Sequence, residues 1–481
     1  MAIYYFFCYL VFGYTMLLMA SYLYLVIMSR KAQRNLGINI PDDETIKYFM
    51  QGSPLTPAVS IIAPAFNEEV TILDNVNSLM QIDYPNFEII IVNDASTDRT
   101  MELLINEYKL VEVPYDIAMK VQSKPIKRVL KSTEEKYSKL VVVDKEHGGK
   151  KADGSNAGIN VCSNKYFVCT DVDCIIEPMA LYRMMWIVLN SHRPVIGVSA
   201  TMLMSNGCIV EDGRVVEAAV PSTLVPMFQQ LEYLRSFLIS KLGWSSINAL
   251  PNISGGFGLF DTDVAVKSGG YDPTSMAEDV DMLLRMVTYM KNTGQDFRLG
   301  QVPKVCCWTE GPGTVKTLCR QRMRWARGLF EIISNHRKLF FNPHYGPIGA
   351  FTLPYIFIFE FIAPVLEMTG FLFMVWLVLV GGVNWDSAII LFGAIILFGM
   401  IYIFSIFMSF FVLYFDYSTK AVEWKNTKIS YLKLLMVTLL EPFIYHPIIT
   451  YCSNVGYWRF ISNQTAVWKP IQRKGVKKKK S

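Results

Sequence analysis

Two uncharged hydrophobic stretches near opposite ends of this 481-residue chain place the strongest limit on its fold. Ile3 to Met28 contains no charged residue, and neither does Ser387 to Phe415. Each stretch is long enough to cross the hydrocarbon core of a bilayer as a helix. The residues between them mix apolar and polar segments, so we expect a soluble domain enclosed by membrane segments.

Charge around the first stretch predicts an orientation. Arg30, Lys31 and Arg34 follow it at once, which by the positive-inside rule places the N-terminus outside and the following chain in the cytoplasm. The stretch lacks a basic leader and a small-residue cleavage site, so we do not expect a removable signal peptide. These features predict a multi-pass protein of the cell membrane whose soluble domain is cytoplasmic.

Net charge and cysteine content limit the kinds of partner and metal that we expect. The net charge is only +5, and much of it lies in the lysine-rich tail Lys474–Lys480. That tail is either a solvated end or a polybasic segment at the anionic cytoplasmic leaflet. No basic stripe with interleaved aromatic residues occurs elsewhere, so we expect no nucleic-acid partner. The nine cysteines form no C-x-x-C pair, which argues against a structural zinc site.

Shifts in composition divide the chain into six predicted segments. Glu441, Pro442, His446 and Pro447 interrupt the last apolar run, which fits either a kinked span or a re-entrant element, and the lysine tail favours the latter. The segments are an N-terminal transmembrane helix (1–30), a linker (31–56), a soluble α/β domain (57–340), an interfacial helix (341–361), a membrane region (362–452) and a cytoplasmic basic tail (453–481).

The soluble segment has the pattern of a parallel α/β sheet. Four short apolar runs, VSIIAPA, FEIIIVND, KLVVVD and YFVCTDVD, each end at polar or acidic residues. Such runs are typical of buried parallel strands. Ligands of open α/β sheets bind beyond the carboxyl ends of the strands, where Asn67, Asp94 and Asp171 fall. The stretch from Thr100 to Lys139 is expected to hold a helix, a short hairpin and a charged loop.

Asp171 and Asp173 form a D-x-D triplet at the predicted end of a strand. Two carboxylates in this position can share a hard divalent cation, and Mg²⁺ commonly uses one or two carboxylates together with substrate phosphates. A metal held there would neutralise a diphosphate leaving group. The triplet alone is common in proteins and gains weight only from the motifs around it.

Two further motifs have both a structural and a functional reading. Asp94 either caps the following helix or accepts a hydrogen bond from a nucleobase or ribose. Lys150 and Lys151 follow two glycines in a segment that is either a surface loop or a phosphate contact. The spacing is not that of a P-loop.

Acidic residues open one amphipathic helix, and a basic stretch forms another. Glu278 and Asp279 lie in a predicted first turn, where the helix dipole favours negative charge and Asp279 can serve as a general base. Gln321, Arg324 and Trp325 share one helical face. Arginine can clamp a diphosphate and tryptophan can support a sugar ring. The same helix also fits a membrane-surface position.

Taken in order, these motifs resemble those of the processive family-2 glycosyltransferases, which include the synthases of cellulose, hyaluronan, chitin oligomers and poly-N-acetylglucosamine. The resemblance covers roughly Val59 to Gly328. Gly154 and Ser155 stand where relatives often carry Ala-Leu, and no gating-loop motif of the cellulose-synthase type is found. The matching motifs are PAFNEE (64–69), VNDASTD (92–98), HGGKKAD (147–153), TDVD (170–173), SGGFGLF (254–260), GGYD (269–272), AEDVD (277–281) and QRMRW (321–325).

The resemblance implies an α/β GT-A domain with a Rossmann-like mixed sheet, a UDP-sugar donor and a bound Mg²⁺ or Mn²⁺. Asp171 and Asp173 are implied as metal ligands, and Asp279 as the catalytic base with Glu278 beside it. The implied donor-binding residues are Ala63, Asn67, Glu68, Asp94, Lys150, Asp171 and Arg324. The implied acceptor-binding residues are Gln321, Trp325, Gly256 and Phe257.

The expected activity is inverting transfer that extends a β-linked polymer of N-acetylglucosamine or glucose and is coupled to export. Glu360 and Glu367 would line the export path. Expected partners are the UDP-sugar, a polysaccharide or lipid-linked acceptor, the lipid bilayer and accessory export subunits. Two alternatives stay open, namely a transferase that adds one sugar to a lipid and a non-catalytic membrane assembly partner.

Overall fold

The computed structural model describes most of the chain. Asp173 and nearly all of the stretch Ser387 to Phe415 lie outside the described residues. Those described are 2–39, 41–171, 174–211, 213–383, 385, 386, 389, 423, 424, 427–464, 477 and 478.

Two sheets are formed by the described residues. The strands are β1 (Val59–Ala65), β2 (Phe87–Asn93), β3 (Leu110–Val113), β4 (Ile126–Ser132), β5 (Leu140–Lys145), β6 (Tyr166–Thr170), β7 (Ile175–Ile176), β8 (Val195–Met204), β9 (Ile209–Glu211), β10 (Arg214–Ala218), β11 (Phe257–Asp261), β12 (Arg298–Thr309), β13 (Glu423–Trp424) and β14 (Lys477–Lys478). The large sheet has the order β3-β4-β5-β2-β1-β6-β11-β8-β12-β7, and the small one β13-β10-β9-β14.

The large sheet is mixed. β1 pairs in parallel with β2 and β6, and β2 pairs in parallel with β5, which confirms the predicted parallel strands. β11 is antiparallel to β6 and β8. The segment between Thr100 and Lys139 forms a helix followed by the antiparallel pair of β3 and β4, as expected. The sheet confirms the predicted fold class, an α/β domain of GT-A type joined to apolar helices.

Alternate residues of the central strands face opposite sides of this sheet. Ile61 and Ile89 pack into one buried apolar cluster, whereas their neighbours Ile62 and Ile90 pack into another. Both faces are therefore covered, which explains why these strands are continuous apolar runs rather than alternating ones. The polar residues that follow the strands are left at the carboxyl edge of the sheet.

Helices cover the sheet and extend away from it. They are α1 (Ala2–Asn39), α2 (Asp43–Met50), α3 (Ile72–Met80), α4 (Thr100–Tyr108), α5 (Lys151–Val161), α6 (Ala180–Leu189), α7 (Leu224–Arg235), α8 (Leu242–Ser246), α9 (Thr262–Lys267), α10 (Glu278–Asn292), α11 (Val315–Asn335), α12 (Leu353–Ile356), α13 (Ala363–Leu379) and α14 (Thr427–Ile461). A π-helix at Ser236–Lys241 joins α7 to α8. Short 3-10 turns lie at Glu135–Tyr137 and Pro343–Tyr345.

Three stretches of described helix are long and apolar enough to cross a membrane: Phe12–Arg34, Ile348–Leu379 and Leu432–Ile461. The second is helical throughout, although the sequence suggested an interfacial helix and then a separate span. π-Helical turns at Ile348–Thr352 and Phe357–Ile362 precede segments whose first turns hold Pro354 and Pro364. Proline has no N–H to donate to the preceding turn, so each proline interrupts the regular hydrogen-bond pattern of this continuous helix.

The C-terminal half of the first of these helices is attached to the α/β domain. Ser29 Oγ donates a hydrogen bond to the carbonyl of Leu238 (2.5 Å), and Gln33 Nε2 reaches the same oxygen (3.3 Å). Gly243 allows close approach, since a Cβ there would lie 3.0 Å from the Leu25 carbonyl oxygen. The junction between the α/β domain and α1 is therefore built from specific contacts.

Candidate active site

The loops after β1 and β2 are interlocked at the carboxyl edge of the sheet. Asn67 adopts a left-handed backbone (φ +57°), and its side-chain oxygen accepts a hydrogen bond from Thr97 N–H at 2.8 Å. Its own N–H donates to Ser96 Oγ at 3.0 Å. Glu68 N–H donates to Thr100 Oγ1 at 2.8 Å. Asn67 and Glu68 thus fix the loop that begins at Asp94, rather than standing free in the site.

Asp94 is held by a buried lysine that the sequence analysis did not single out. The Lys145 side chain is fully buried, and its ammonium lies 2.6 Å from Asp94 Oδ1 and 2.5 Å from Asp153 Oδ2. Gly148 N–H also donates to Asp94 Oδ1 at 2.8 Å. A buried ammonium requires such partners because burying an unpaired charge is costly. Lys145 therefore sets the position of the Asp94 carboxylate.

An aromatic surface adjoins this carboxylate. The imidazole of His147 stacks on the ring of Phe66, with 4.8 Å between ring centroids and 29° between planes. His147 Nδ1 lies 3.1 Å from Asp94 Oδ2. Half of the His147 side chain remains exposed. A flat group with polar edges, such as a nucleobase, could contact the rings and the carboxylate together.

The two adjacent lysines after this loop have different positions. The Lys150 ammonium donates to the carbonyl of Thr274 at 2.5 Å and to that of Ser275 at 3.3 Å. Lys151, in the first turn of α5, points into the site instead. Its ammonium lies 2.5 Å from Asp171 Oδ1 and 2.5 Å from the carbonyl oxygen of Gly255. Lys150 was the lysine predicted to bind the donor, whereas the geometry favours Lys151.

The environment of Lys151 keeps it charged. Burial alone would lower the pKa of Lys151, but the Asp171 carboxylate outweighs this and raises it. The Asp171 side chain is 40% exposed, so one carboxylate oxygen pairs with the ammonium while the group still faces solvent. Asp173, the second predicted metal ligand, lies outside the described residues. Asp171 is thus a carboxylate already positioned beside a cation.

The glycine loop before β11 connects this ion pair to the predicted base. Gly255 N–H donates to Asp279 Oδ2 at 3.1 Å, while the Gly255 carbonyl accepts from Lys151. A Cβ on Gly255 would lie 3.6 Å from Asp279 Oδ2. Asp279 Oδ1 accepts a hydrogen bond from Val280 N–H at 2.9 Å, in the first turn of α10. One carboxylate therefore has both oxygens oriented by backbone donors.

Glu278 shares this region with Asp279 and differs from an ordinary surface glutamate. Burial raises its pKa to about 6, and the neighbouring Asp279 charge adds to this effect, whereas Lys151 and Arg324 oppose it. Arg324 belongs to α11, so charged groups from α5, α10 and α11 all act on this carboxylate. Glu278, Asp279, Lys151 and Arg324 consequently belong to one electrostatic cluster.

The helix α11 presents the last motif. Trp325 is 38% exposed, and the Gln321 side-chain oxygen is buried without a hydrogen-bond partner among the described residues. Arg322 lies under the Trp325 ring, with 4.2 Å from the guanidinium carbon to the ring centroid. It forms a bidentate pair with Glu232, with distances of 2.6 and 2.7 Å. Arg322 was not among the predicted site residues.

Two predicted site residues have buried side chains. Ala63 and Phe257 lie in the core beneath the sheet edge, so only their backbone atoms could contact donor or acceptor, and both assignments stay predictions. Gly256 lies at the edge, where its carbonyl accepts from Asp171 N–H at 3.2 Å. A Cβ on Gly256 would meet the Met202 methyl group at 2.7 Å, so this glycine allows the loop to pass close to β8.

Sequence comparisons agree with this geometry. Residues 227–415 match the model described as Glycosyl transferase family group 2, and residues 60–115 match the model described as Glycosyl transferase family 2. The two matches contain the Asp94 loop and the motifs around Asp279 and Trp325. The chain therefore carries regions that match two models of family-2 glycosyltransferases, in agreement with the predicted resemblance.

The matches to individual relatives cover only part of the length of each relative. Poly-beta-1,6-N-acetyl-D-glucosamine synthase from Staphylococcus epidermidis is 26% identical over 275 residues, which are 57% of this chain and 55% of that protein. Probable glycosyltransferase YdaM from Bacillus subtilis is 28% identical over 294 residues, which are 60% of this chain and 58% of that protein. The matched region thus spans little more than half of these relatives.

Among solved structures, the mannosyltransferase PcManGT from Pyrobaculum calidifontis, in complex with GDP-Man and Mn²⁺, covers 92% of this chain and 100% of its own. The sequence identity is 14% and the TM-score is 0.47.

Proposed function

We propose that this protein is a membrane-bound inverting glycosyltransferase that uses a UDP-sugar to extend a β-linked polysaccharide, with N-acetylglucosamine as the sugar. The choice of sugar draws on the homology to the poly-N-acetylglucosamine synthase. One observation carries the catalytic proposal: Lys151 bridges Asp171 to the carbonyl of Gly255, whose N–H binds Asp279. The loop at Gly255 thus connects Asp171, which is suited to the leaving-group end, with Asp279, which is suited to activate the nucleophile.

The donor would lie along the carboxyl edge of the sheet. Asp94 Oδ1 is bound by Lys145 and Gly148, whereas Oδ2 faces only the half-exposed His147 ring at 3.1 Å, so Oδ2 would accept the hydrogen bond from the nucleobase or ribose beside that imidazole. The stacked Phe66 and His147 rings would support the base. The diphosphate would then extend toward Lys151, and Arg324 would approach it from α11.

The residues at the diphosphate end fit a divalent metal. Asp171 offers a carboxylate that is 40% exposed, and hard oxygen ligands of this kind suit Mg²⁺ or Mn²⁺. Asp171 and Asp173 would hold the ion. Bound there, it would neutralise charge that develops on the departing diphosphate. Lys151 would supply a second positive charge at the same carboxylate.

Asp279 would accept the proton from the acceptor hydroxyl as that oxygen attacks the anomeric carbon. The bond from this carbon to the diphosphate breaks, UDP leaves with the electron pair, and the configuration inverts. Hydrogen bonds from Gly255 N–H and Val280 N–H orient the carboxylate, and the N-terminus of α10 favours its negative charge. Positioned proton transfer of this kind contributes about 10²- to 10⁴-fold to rate.

The growing chain would pass from Trp325 toward the membrane helices, and the soluble domain would face the cytoplasm. Glu367 contacts His446 Nε2 at 3.0 Å and Thr450 Oγ1 at 2.7 Å between two of the apolar helices. Acidic side chains in such helices generally line a polar path or pair with one another. Glu360 would line the same path, and the lipid bilayer and accessory export subunits would be partners in export.

The test is turnover by the purified protein in lipid with Mg²⁺ or Mn²⁺ and a panel of UDP-sugars, with UDP release and product size measured together. The proposal expects UDP release with UDP-N-acetylglucosamine and a high-mass product. A single short product that requires an added lipid acceptor would assign the protein to single-addition transferases. Absence of UDP release with every donor would contradict the catalytic proposal.

A further inference from the structure

The helix that carries Gln321, Arg324 and Trp325 packs directly along α14. Gly456 marks the closest approach, because a Cβ there would lie 2.7 Å from the Met323 carbonyl oxygen and 2.8 Å from Ala326 Cβ. One turn further along both helices, the rings of Phe330 and Phe460 stack with 4.6 Å between centroids. α11 is therefore attached to a candidate membrane helix over several turns.

A buried polar cluster fastens the start of this contact. Tyr445 of α14 donates its hydroxyl hydrogen to Glu232 Oε2 at 2.6 Å, and Arg322 Nη2 donates to the Tyr445 hydroxyl oxygen at 3.0 Å. Arg322 also forms its bidentate pair with Glu232 of α7. Tyr445 is 3% exposed and its ring stacks on Phe228 at 5.1 Å. Three helices thus meet at one guanidinium.

A second ion pair repeats the connection between α7 and α14. Arg235 donates to both carboxylate oxygens of Glu441, at 3.1 and 2.7 Å. Glu441 and Tyr445 are four residues apart, so they lie on the same face of α14. Bidentate arginine–carboxylate pairs fix relative orientation as well as distance. The register of α14 against α7 is consequently determined by two separate contacts.

The cluster determines which face of Trp325 is open. Arg322 occupies one face of the indole at 4.2 Å, held there by Glu232 and Tyr445. Trp325 nevertheless remains 38% exposed, so part of its surface is still accessible. A guanidinium over an indole is an attractive arrangement that also restricts the ring. The ring is thereby a fixed platform for a flat apolar group, such as the face of a pyranose.

We infer that α14 is part of the acceptor site, and that Tyr445 is a positioning residue which acts through Arg322 on Trp325. This inference rests on the proposed function, since it concerns the terminal sugar of the growing chain. Tyr445 does not touch the sugar. Its hydroxyl positions the Arg322 guanidinium, which in turn fixes the Trp325 indole. The candidate membrane helix α14 therefore helps to determine acceptor affinity.

The experiment compares the full-length protein with its Tyr445→Phe variant in lipid. The variant keeps the ring stacked on Phe228 and removes only the hydroxyl. Tyr457→Phe is the matched control, because its hydroxyl on the same helix bonds the Glu360 carbonyl and not Arg322. KM for a β-1,6-linked N-acetylglucosamine pentamer is measured at saturating donor. The KM for UDP-N-acetylglucosamine is measured without acceptor, from the UDP that is released when water hydrolyses the donor.

We expect Tyr445→Phe to raise the acceptor KM about fivefold, the effect of losing one net hydrogen bond. The donor KM should be unchanged, and Tyr457→Phe should match the wild type. Glu232→Gln, which keeps shape and removes charge, should raise the acceptor KM further. An acceptor KM unchanged in both Tyr445→Phe and Glu232→Gln would overturn the inference, and so would an equal rise in both KM values. Absence of UDP release by the wild type would instead overturn the proposed function.

Discussion

Lys151 and Asp171 form an ion pair with 2.5 Å between the ammonium nitrogen and Oδ1, although twenty residues of sequence separate the two. The pair joins the first turn of α5 to the end of β6, at the carboxyl edge of the parallel strands. The same ammonium also contacts the Gly255 carbonyl. Through this one side chain, three separate segments of the sequence become one site.

Lys151 and Lys150 offer a comparison within one loop. We expect Lys151→Met to lower the rate of UDP release about a hundredfold, as seen when a preorganised charge is removed from a transition state. Lys150→Met should retain most of the rate, because its ammonium is bound to the carbonyls of Thr274 and Ser275. Steady-state assays of both variants provide the measurement. Equal losses in the two variants would contradict the assignment.

Lys145 should matter more for stability than a typical lysine. Replacing it with Met leaves Asp94 and Asp153 buried without their cation, and breaking such a pair costs roughly 3–5 kcal/mol. Lys136→Met is the control, since its pair with Glu134 is mostly exposed. Thermal unfolding of the solubilised protein should show a large loss of Tm for the first variant and almost none for the second. Similar Tm values for both would refute the structural role of Lys145.

Glu278 should make stability depend on pH in the metal-free protein. Burial and the Asp279 charge raise its pKa from 4.5 to about 6, so the folded state favours its protonated form. The stability associated with that form is present below pH 4.5 and is lost as the pH rises through about 6. Glu278→Gln cannot ionise, so its Tm should gain on the wild type between pH 4.5 and 7.5. Unfolding scans in EDTA test this, and a Tm difference constant across that range would contradict it.

Gly456 should be intolerant of a side chain. Gly456→Leu would push against the Met323 carbonyl and Ala326, and overpacking of this kind costs typically about 1–3 kcal/mol. Gly370→Leu is the control, because a Cβ at Gly370 of α13 meets nothing within 4 Å. Heat stability of the two variants in the same detergent is the readout. A Gly456→Leu protein as stable as Gly370→Leu would argue against the close packing of α11 on α14.

The central strands could be predicted because each one is identified by a short run of consecutive residues. β1, β2, β5 and β6 are continuous apolar runs. A strand that is covered on both faces needs such a run, so it can be recognised from the sequence alone. The acids and amides that end these runs fall at one edge for the same reason. Asn67, Asp94 and Asp171 could therefore be chosen before their distances were known, whereas Asp279 was chosen from the start of an amphipathic helix.

The connecting lysines and arginines could not be chosen in this way. Lys145 ends an apolar strand, where a charged residue usually marks the start of an exposed loop, and its partners lie in other segments. Lys150 and Lys151 differ by one residue, and only the start of α5 decides which one faces the site. Arg322 stands inside a recognisable motif, yet its partners Glu232 and Tyr445 are distant in sequence. Such pairings depend on tertiary packing rather than on pattern.

The central claim is that Asp279 is the base of a UDP-sugar transferase. The most direct measurement compares wild type and Asp279→Asn in lipid, following UDP release with UDP-N-acetylglucosamine and, separately, UDP affinity by calorimetry. We expect turnover to fall at least about a hundredfold while UDP affinity stays within about twofold, because only the proton acceptor is lost. Wild-type turnover by Asp279→Asn, with UDP affinity intact, would contradict the account.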